Sequence, residues 1–301
     1  MAEHDQVDQI PTPKSLLPAW LRAMRPKQWV KNVLVLAAPL AAGQLFVPAV
    51  LIPACWALLA FSLISASIYL VNDIRDVESD RLHPTKRFRP IAAGELAAGT
   101  AWVMAVITAA ASLSIGFWVN PMLGAVLSLY LVLQLGYSFF LKDMPIIDLA
   151  MVSAGFLLRA VAGGVASGLV LSQWFLLVAS FGSLFMVAGK RYSELTELGS
   201  EAKTRASLER YTPTYLREIW SISMAIVIMS YSLWAFDQSG NLLGVPWAAV
   251  SIAPFTLAIL RYAMKIDHGK AGEPEDVVLH DHMLQALAVL WIVPVALAVF
   301  A

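Results

Sequence analysis

A single cysteine, Cys55, is all the thiol that this 301-residue chain carries, which excludes an internal disulfide and leaves the redox compartment unread. Charge is also scarce. Asp, Glu, Lys and Arg make up 14% of residues, against about a quarter in soluble domains. With 59% hydrophobic residues and Trp 10 times over, that shortage excludes an ordinary water-soluble fold. No solenoid-type repeat and no low-complexity tract is present. A cleaved leader is not expected, because the first 15 residues are polar and acid-rich.

What is there is a set of long windows without charge, over 32–72, 96–141, 160–189, 219–236, 238–260 and 282–301. A spanning helix needs about 20 apolar residues, so the two longest windows each hold a helical hairpin. The windows predict an all-α integral membrane protein with helices near 32–47, 54–72, 97–117, 121–140, 146–164, 172–190, 215–236, 246–265 and 282–300. Val47-Pro48, Asn120-Pro121, the Gly163 to Gly168 region and Ser239-Gly240-Asn241 mark the tight turns. Threading nine helices puts the N-terminal segment 1–24 and the loops 73–96, 141–145, 191–214 and 266–281 on one side. Of the 21 Lys and Arg, all but Arg159 fall on that side, which the positive-inside rule makes cytoplasmic. The expected organisation is one membrane domain over 1–301, multi-pass, in the plasma (inner) membrane.

The densest polar feature begins where the first window ends, at Asn72-Asp73-Ile74-Arg75-Asp76-Val77-Glu78-Ser79-Asp80. On a continuing helix Asn72, Asp76 and Asp80 are spaced i, i+4, i+8, with Asp73 three before Asp76, so one amide and three carboxylates share a face. Carboxylates that close repel one another unless a cation neutralises them. An all-oxygen set favours Mg²⁺, or Mn²⁺, over zinc or copper. The plain alternative is a solvated helix end with Arg75 and Arg81 pairing the acids. Next comes His83-Pro84-Thr85-Lys86-Arg87-Phe88-Arg89-Pro90. Its three cations, Lys86, Arg87 and Arg89, suit a polyphosphate, though basic residues beside a membrane also serve as topology anchors.

Lys27 and Lys31 are i, i+4 at the start of the first helix and form a candidate anion site or a pair of topology anchors. Arg159 lies mid-helix, either paired with an acid such as Asp148 or Asp73 or serving as a phosphate ligand within a cavity. Glu273, Glu275 and Asp276 form a second acidic loop, suited to ribose hydroxyls or to plain solvation. His280 and His282 are i, i+2 and do not share a helix face, which argues against a metal pair.

The spacing Asn72-Asp73-x-x-Asp76-x-x-x-Asp80, followed by Lys86-Arg87-x-Arg89-Pro90-Ile91, resembles the UbiA superfamily of intramembrane prenyltransferases. The resemblance implies a helical bundle with a central cavity open to the cytoplasm and Mg²⁺-bound diphosphate at the first aspartate motif. One departure stands out. Where typical members carry a second Asp-rich motif, this chain reads Gly189-Lys190-Arg191-Tyr192-Ser193-Glu194. Lys190 and Arg191 in place of carboxylates turn a metal platform into a direct anion platform.

Together with Arg25-Pro26-Lys27-Gln28-Trp29-Val30-Lys31-Asn32 and Gly272-Glu273-Pro274-Glu275-Asp276, these motifs resemble the phosphoribosyl-transferring branch of the superfamily, which serves mycobacterial and corynebacterial cell-wall arabinan synthesis. That likeness implies phosphoribosyl pyrophosphate (PRPP) as donor and a polyprenyl phosphate as acceptor. It implies metal on Asp73, Asp76 and Asp80, and substrate contacts from Asn72, Lys190, Arg191, Glu194 and Tyr192, the last counted with the catalytic groups. No nucleic-acid partner is expected, and self-association is left open. The alternatives are a conventional prenyltransferase, against which Lys190-Arg191 argues, and a transporter, against which the crowding of charge at one face argues.

Overall fold

The computed structural model describes residues 17–142, 144–198, 210–238 and 244–300. Among these, eight helices are long and apolar enough to cross a membrane: α1 (Pro48–Arg75), α2 (Ala98–Val119), α3 (Pro121–Leu141), α4 (Ile147–Ala166), α5 (Gln173–Leu198), α6 (Pro213–Asp237), α7 (Trp247–Asp267) and α8 (His282–Phe300). Their starts follow from local chemistry. Pro48, Pro121 and Pro213 occupy the first helical position, where a missing N–H costs nothing. Asn120 caps α3 by accepting the Met122 N–H at 2.9 Å, and Thr212 caps α6 by accepting the Tyr215 N–H at 3.2 Å.

The span expected near 32–47 takes another form. Pro26–Leu36 is a 3₁₀ helix and Ala37–Ala41 a short α-helix that ends before Gly43. A charge-free window measures apolar length, and length alone does not distinguish 3.0 from 3.6 residues per turn. In the 3₁₀ form Lys27 and Lys31 lie about 120° apart instead of stacking on one face. Lys27 is exposed and Lys31 half-buried.

The helices form two sub-bundles. In the first, α1 packs on α2, α2 on α3, and α4 on α1, α3 and the 3₁₀ segment. In the second, α5 packs on α6, and α7 on α6 and α8. Contact between α4 and α5 joins them. At one seam Phe46 meets Phe300, ring centroids 5.6 Å apart, so the end of α8 closes against the hairpin before α1. The first sub-bundle has two buried clusters. Phe61, Ile64, Leu127 and Tyr130 form one; Leu70, Ile91, Ala101 and Ala105 form the other, beneath the acidic motif. The second is centred on Phe185, Tyr192, Trp220 and Tyr262. Outward positions such as Val103, Val106 and Ile107 are apolar and exposed, which suits a helix bathed in lipid.

Candidate functional site

The acidic motif does not lie on one continuous helix. α1 ends at Arg75, Asp76 serves as its C-cap at φ −91°, ψ 10°, and a new helix runs over Val77–Leu82. The break sorts the carboxylates into two groups. Asp73 and Asp80 face inward, 2% and 3% exposed, while the Asp76 side chain is 38% exposed.

Each acid meets a cation from a different part of the chain. Arg25 pairs with Asp73 from the start of the 3₁₀ segment. Arg89 bridges Asp73 and Asp80 at 3.2 and 2.6 Å. Lys142, just past α3, reaches Asp76 at 3.2 Å. Of the basic run, Arg89 pairs with the acids of this cluster; Lys86 and Arg87 are exposed, with Arg87 over the Phe88 ring at 4.9 Å. Asn72 is half-buried, and its backbone carbonyl accepts the Asp76 N–H. Arg75 turns away onto Phe139, donating to its carbonyl at 3.2 Å. Arg25 sits in the left-handed region at φ 54° and stacks on Tyr69 at 5.0 Å. Such a conformation in a non-glycine residue marks a position held by its surroundings.

The second polar group lies on α5. Arg191 is 4% exposed and donates to both oxygens of Asp148 at 3.0 and 3.2 Å, and to Glu194 at 2.9 Å. Asp148, fully buried, also accepts from Tyr137 Oη at 2.7 Å. Lys190 lies 3.7 Å from Glu194 and is 37% exposed. Tyr192 points the other way: its hydroxyl accepts from Arg217 of α6 at 2.7 Å, and Arg217 also pairs with Asp267 at 3.0 Å.

One turn touches both groups. The last turn of α3, Tyr137–Leu141, is a π-helix, a form found often at functional sites. Tyr137 reaches Asp148, and Lys142 reaches Asp76. Ile146 follows at φ 68°, and its N–H donates to Tyr211 Oη at 2.6 Å. Burial pushes the Tyr211 hydroxyl above its ordinary pKa, so it stays protonated.

Arg159 belongs to neither group. It is 7% exposed inside α4 and donates to Asn32 Oδ1 (2.8 Å), the Gly155 carbonyl (2.8 Å), Ser65 Oγ (3.2 Å) and Tyr130 Oη (2.8 Å). The acids first considered for it are taken: Asp148 by Arg191, Asp73 by Arg25 and Arg89. The 266–281 loop borders a separate cleft of about 450 Å³, lined by Glu197, Lys270, Glu273, Asp276 and His280 among others. Its lining does not include the motif aspartates.

A divalent cation must be reconciled with these ion pairs. Among the described residues no three His, Cys, Asp or Glu side chains converge as a ready-made metal cage. The donor set nonetheless fits: three carboxylates within eight residues, all-oxygen and neutralised here by arginine and lysine. Spacing alone did not show Arg25, Lys142 or Asp148 as members of these groups. Lys142 read as a topology charge, Arg25 as part of the Arg25–Asn32 motif with no role of its own, and Asp148 as a partner for Arg159.

The profile described as the UbiA prenyltransferase family matches residues 33–280. A decaprenyl-phosphate phosphoribosyltransferase of Corynebacterium glutamicum is 54% identical over 294 residues, 96% of this chain and 89% of that protein. One of Mycobacterium tuberculosis is 51% identical over 292 residues, 95% of this chain and 96% of that protein. Among solved structures, a UbiA homolog from Archaeoglobus fulgidus bound to DMAPP and Mg²⁺ superposes with a TM-score of 0.69 at 18% identity, covering 94% of this chain and 99% of that one.

Proposed function

The chain belongs to the UbiA prenyltransferase family, and from that premise we propose that it transfers 5-phosphoribose from PRPP to a polyprenyl phosphate, decaprenyl phosphate by analogy with its relatives, for arabinan precursor synthesis. The observation that carries the reading is the composition of α5: Lys190 and Arg191 stand where a diphosphate clamp of the conventional kind needs carboxylates. A prenyl diphosphate asks for two metal platforms. PRPP and a lipid phosphate together bring about six negative charges, which call for protein cations as well as metal.

In the proposed reaction an oxygen of the lipid phosphate attacks the anomeric carbon of PRPP. The C1–O bond to pyrophosphate breaks, the leaving group takes the electron pair, and the anomeric centre inverts. The attacking phosphate is ionised at neutral pH, so no strong base is required. Asp73, Asp76 and Asp80 would hold Mg²⁺ (or Mn²⁺), which would supply charge neutralisation for a pyrophosphate leaving group. The residues' own part is an exchange of partners. Arg25, Arg89 and Lys142, which neutralise the acids in this structure, turn to the incoming phosphate oxygens. Lys190, with Glu194 beside it, faces a second phosphate; Lys27, Lys31, Lys86 and Arg87 draw anions to the same side, and Asn72 supports the acids. Arg191 and Tyr192 set the wall of α5.

The site opens to the cytoplasm of a plasma-membrane protein in this reading, because the basic residues crowd that side. Pro26–Ala41 makes the ninth crossing: 11 residues at about 2.0 Å and 5 at about 1.5 Å span about 30 Å, the thickness of the hydrocarbon core. Residues 1–301 then act as one membrane domain. Purified protein given labelled PRPP and polyprenyl phosphate should form a lipid-linked phosphoribose in the presence of Mg²⁺. Product from a labelled isoprenyl diphosphate and none from PRPP would reject the proposal.

A further inference from the structure

The geometry points to Arg159 as a positioning residue that locks the 3₁₀ segment Pro26–Leu36 in register against α4, and through it sets Arg25 on Asp73. The kinetic part of this inference rests on the transferase reading; the structural part does not.

A guanidinium inside a membrane-spanning helix is costly unless its donors are met. Arg159 has five N–H groups, and bonds to Asn32, Gly155, Ser65 and Tyr130 engage four of them. The rings of Tyr130, Phe61 and Phe156 lie 5.0, 5.7 and 5.8 Å from its central carbon, adding cation–π attraction. These partners come from the 3₁₀ segment, α1, α3 and α4 itself. A side chain spent in this way has one N–H left for a ligand, and that side chain is 7% exposed. It joins four segments instead.

The register of the lock explains the 3₁₀ form. Asn32 and Val35, both fully buried, are i, i+3 and eclipse one another in a 3₁₀ helix. They meet α4 at Arg159 and Gly163, which are i, i+4 and share an α-helical face. Three residues at about 2.0 Å and four at about 1.5 Å both advance about 6 Å. An α-helical segment would advance about 4.5 Å over the same three residues and lose one contact or the other. Both contacts are tight. Asn32 Nδ2 also donates to Ser62 Oγ at 3.1 Å, and a Cβ on Gly163 would fall 1.8 Å from the Val35 carbonyl oxygen. Arg25 lies seven residues before Asn32 at the head of the same segment and ends on Asp73, so a slip at Asn32 moves Arg25 by the same distance.

The test uses full-length protein in nanodiscs, with Cys55→Ser as background and spin labels at Val33→Cys and Val132→Cys, both lipid-exposed positions. Without substrate, the 33–132 distance distribution should be narrow in the parent and broaden in both Asn32→Ala and Arg159→Met. Arg159→Lys keeps the charge but not the planar fork, and should broaden it as well. In transfer assays Asn32→Ala and Arg159→Met should each lower kcat/KM for PRPP about 10-fold and to the same extent, because Arg25 and Lys31 move with the segment, and the double variant should be no worse than either single one. Unchanged distances in the variants, or full rescue by Arg159→Lys, overturn the lock. A raised KM for PRPP in Arg159→Met beside a normal Asn32→Ala enzyme also overturns it, since a direct ligand behaves that way. Should Arg159→Met fail to fold, Asn32→Ala and Arg159→Lys carry the same readouts. A parent with no PRPP activity would refute the transferase reading and leave the distances to decide the lock.

Discussion

The two polar groups at one end of the bundle are built on opposite plans. At the end of α1 the acids belong to one short stretch, and their cations arrive from three others: Arg25 ahead of the 3₁₀ segment, Arg89 in a loop and Lys142 after α3. On α5 the charges are balanced at close quarters by Asp148 and Glu194, and the central pair is 4% and 0% exposed. The Asp76–Lys142 pair, 38% and 37% exposed, is weak and exchangeable, and the buried Asp73 and Asp80 are met by guanidinium side chains that keep one side open to solvent, 26% exposed. A desolvated, bidentate pair is costly to break. The first plan suits a place where ligands replace the resting partners, the second a wall that keeps its shape while they do.

Substitutions can break that contrast, and the largest effect is expected at the acids. Asp73→Asn and Asp76→Ala should lower turnover more than about 1000-fold, and chelation of Mg²⁺ should stop the parent enzyme, while thermal melts of Asp76→Ala, at a half-exposed site, stay near those of the parent in detergent. Near-normal activity in Asp76→Ala would show that the metal is held elsewhere. The α5 group should respond through stability. Arg191→Ala leaves the fully buried Asp148 carboxylate without its cation, at a cost of about 3 kcal/mol, read as a lowered Tm. An unchanged Tm would mean that this group is as exchangeable as the first.

Lys190→Ala removes a 37% exposed charge; KM for a phosphorylated substrate should rise about 10-fold with little change in Tm. The smallest effect concerns a third cluster. Lys265 at 2.9 Å, the Leu284 N–H at 3.0 Å and Arg261 at 3.0 Å hold the Asp281 carboxyl below its ordinary pKa. A lowered folded pKa gives stability that is present in full above the unfolded value, about 3.9, and is lost as pH falls through the folded one. Melts should therefore be insensitive to this group from pH 7 to about 5 and decline below about 4, and Asp281→Asn should flatten that acid limb.

Much of this was legible in the chain itself. Eight spans lie close to their charge-free windows, because lipid leaves no other place for uncharged runs of that length. The acidic motif was visible as a cluster, but the turn at Asp76 was not, since no proline or glycine marks it. Asp148 illustrates the other gap. The sequence offers it as a partner for Arg159, and nothing in the spacing says that Arg191, 43 positions on, takes it instead. Lys142 was hidden for the same reason: its partner Asp76 is 66 residues away. Periodicity reports which face a residue shares with its neighbours in sequence; pairing across the bundle depends on how helices cross.

The seam where Phe300 meets Phe46 lies at the opposite end of α1 from the aspartates. A surface attachment made at Phe46, which is exposed, would therefore tether the protein by its remote side, leaving the charged mouth oriented toward the bulk, an arrangement suited to measuring ligand capture on a sensor chip.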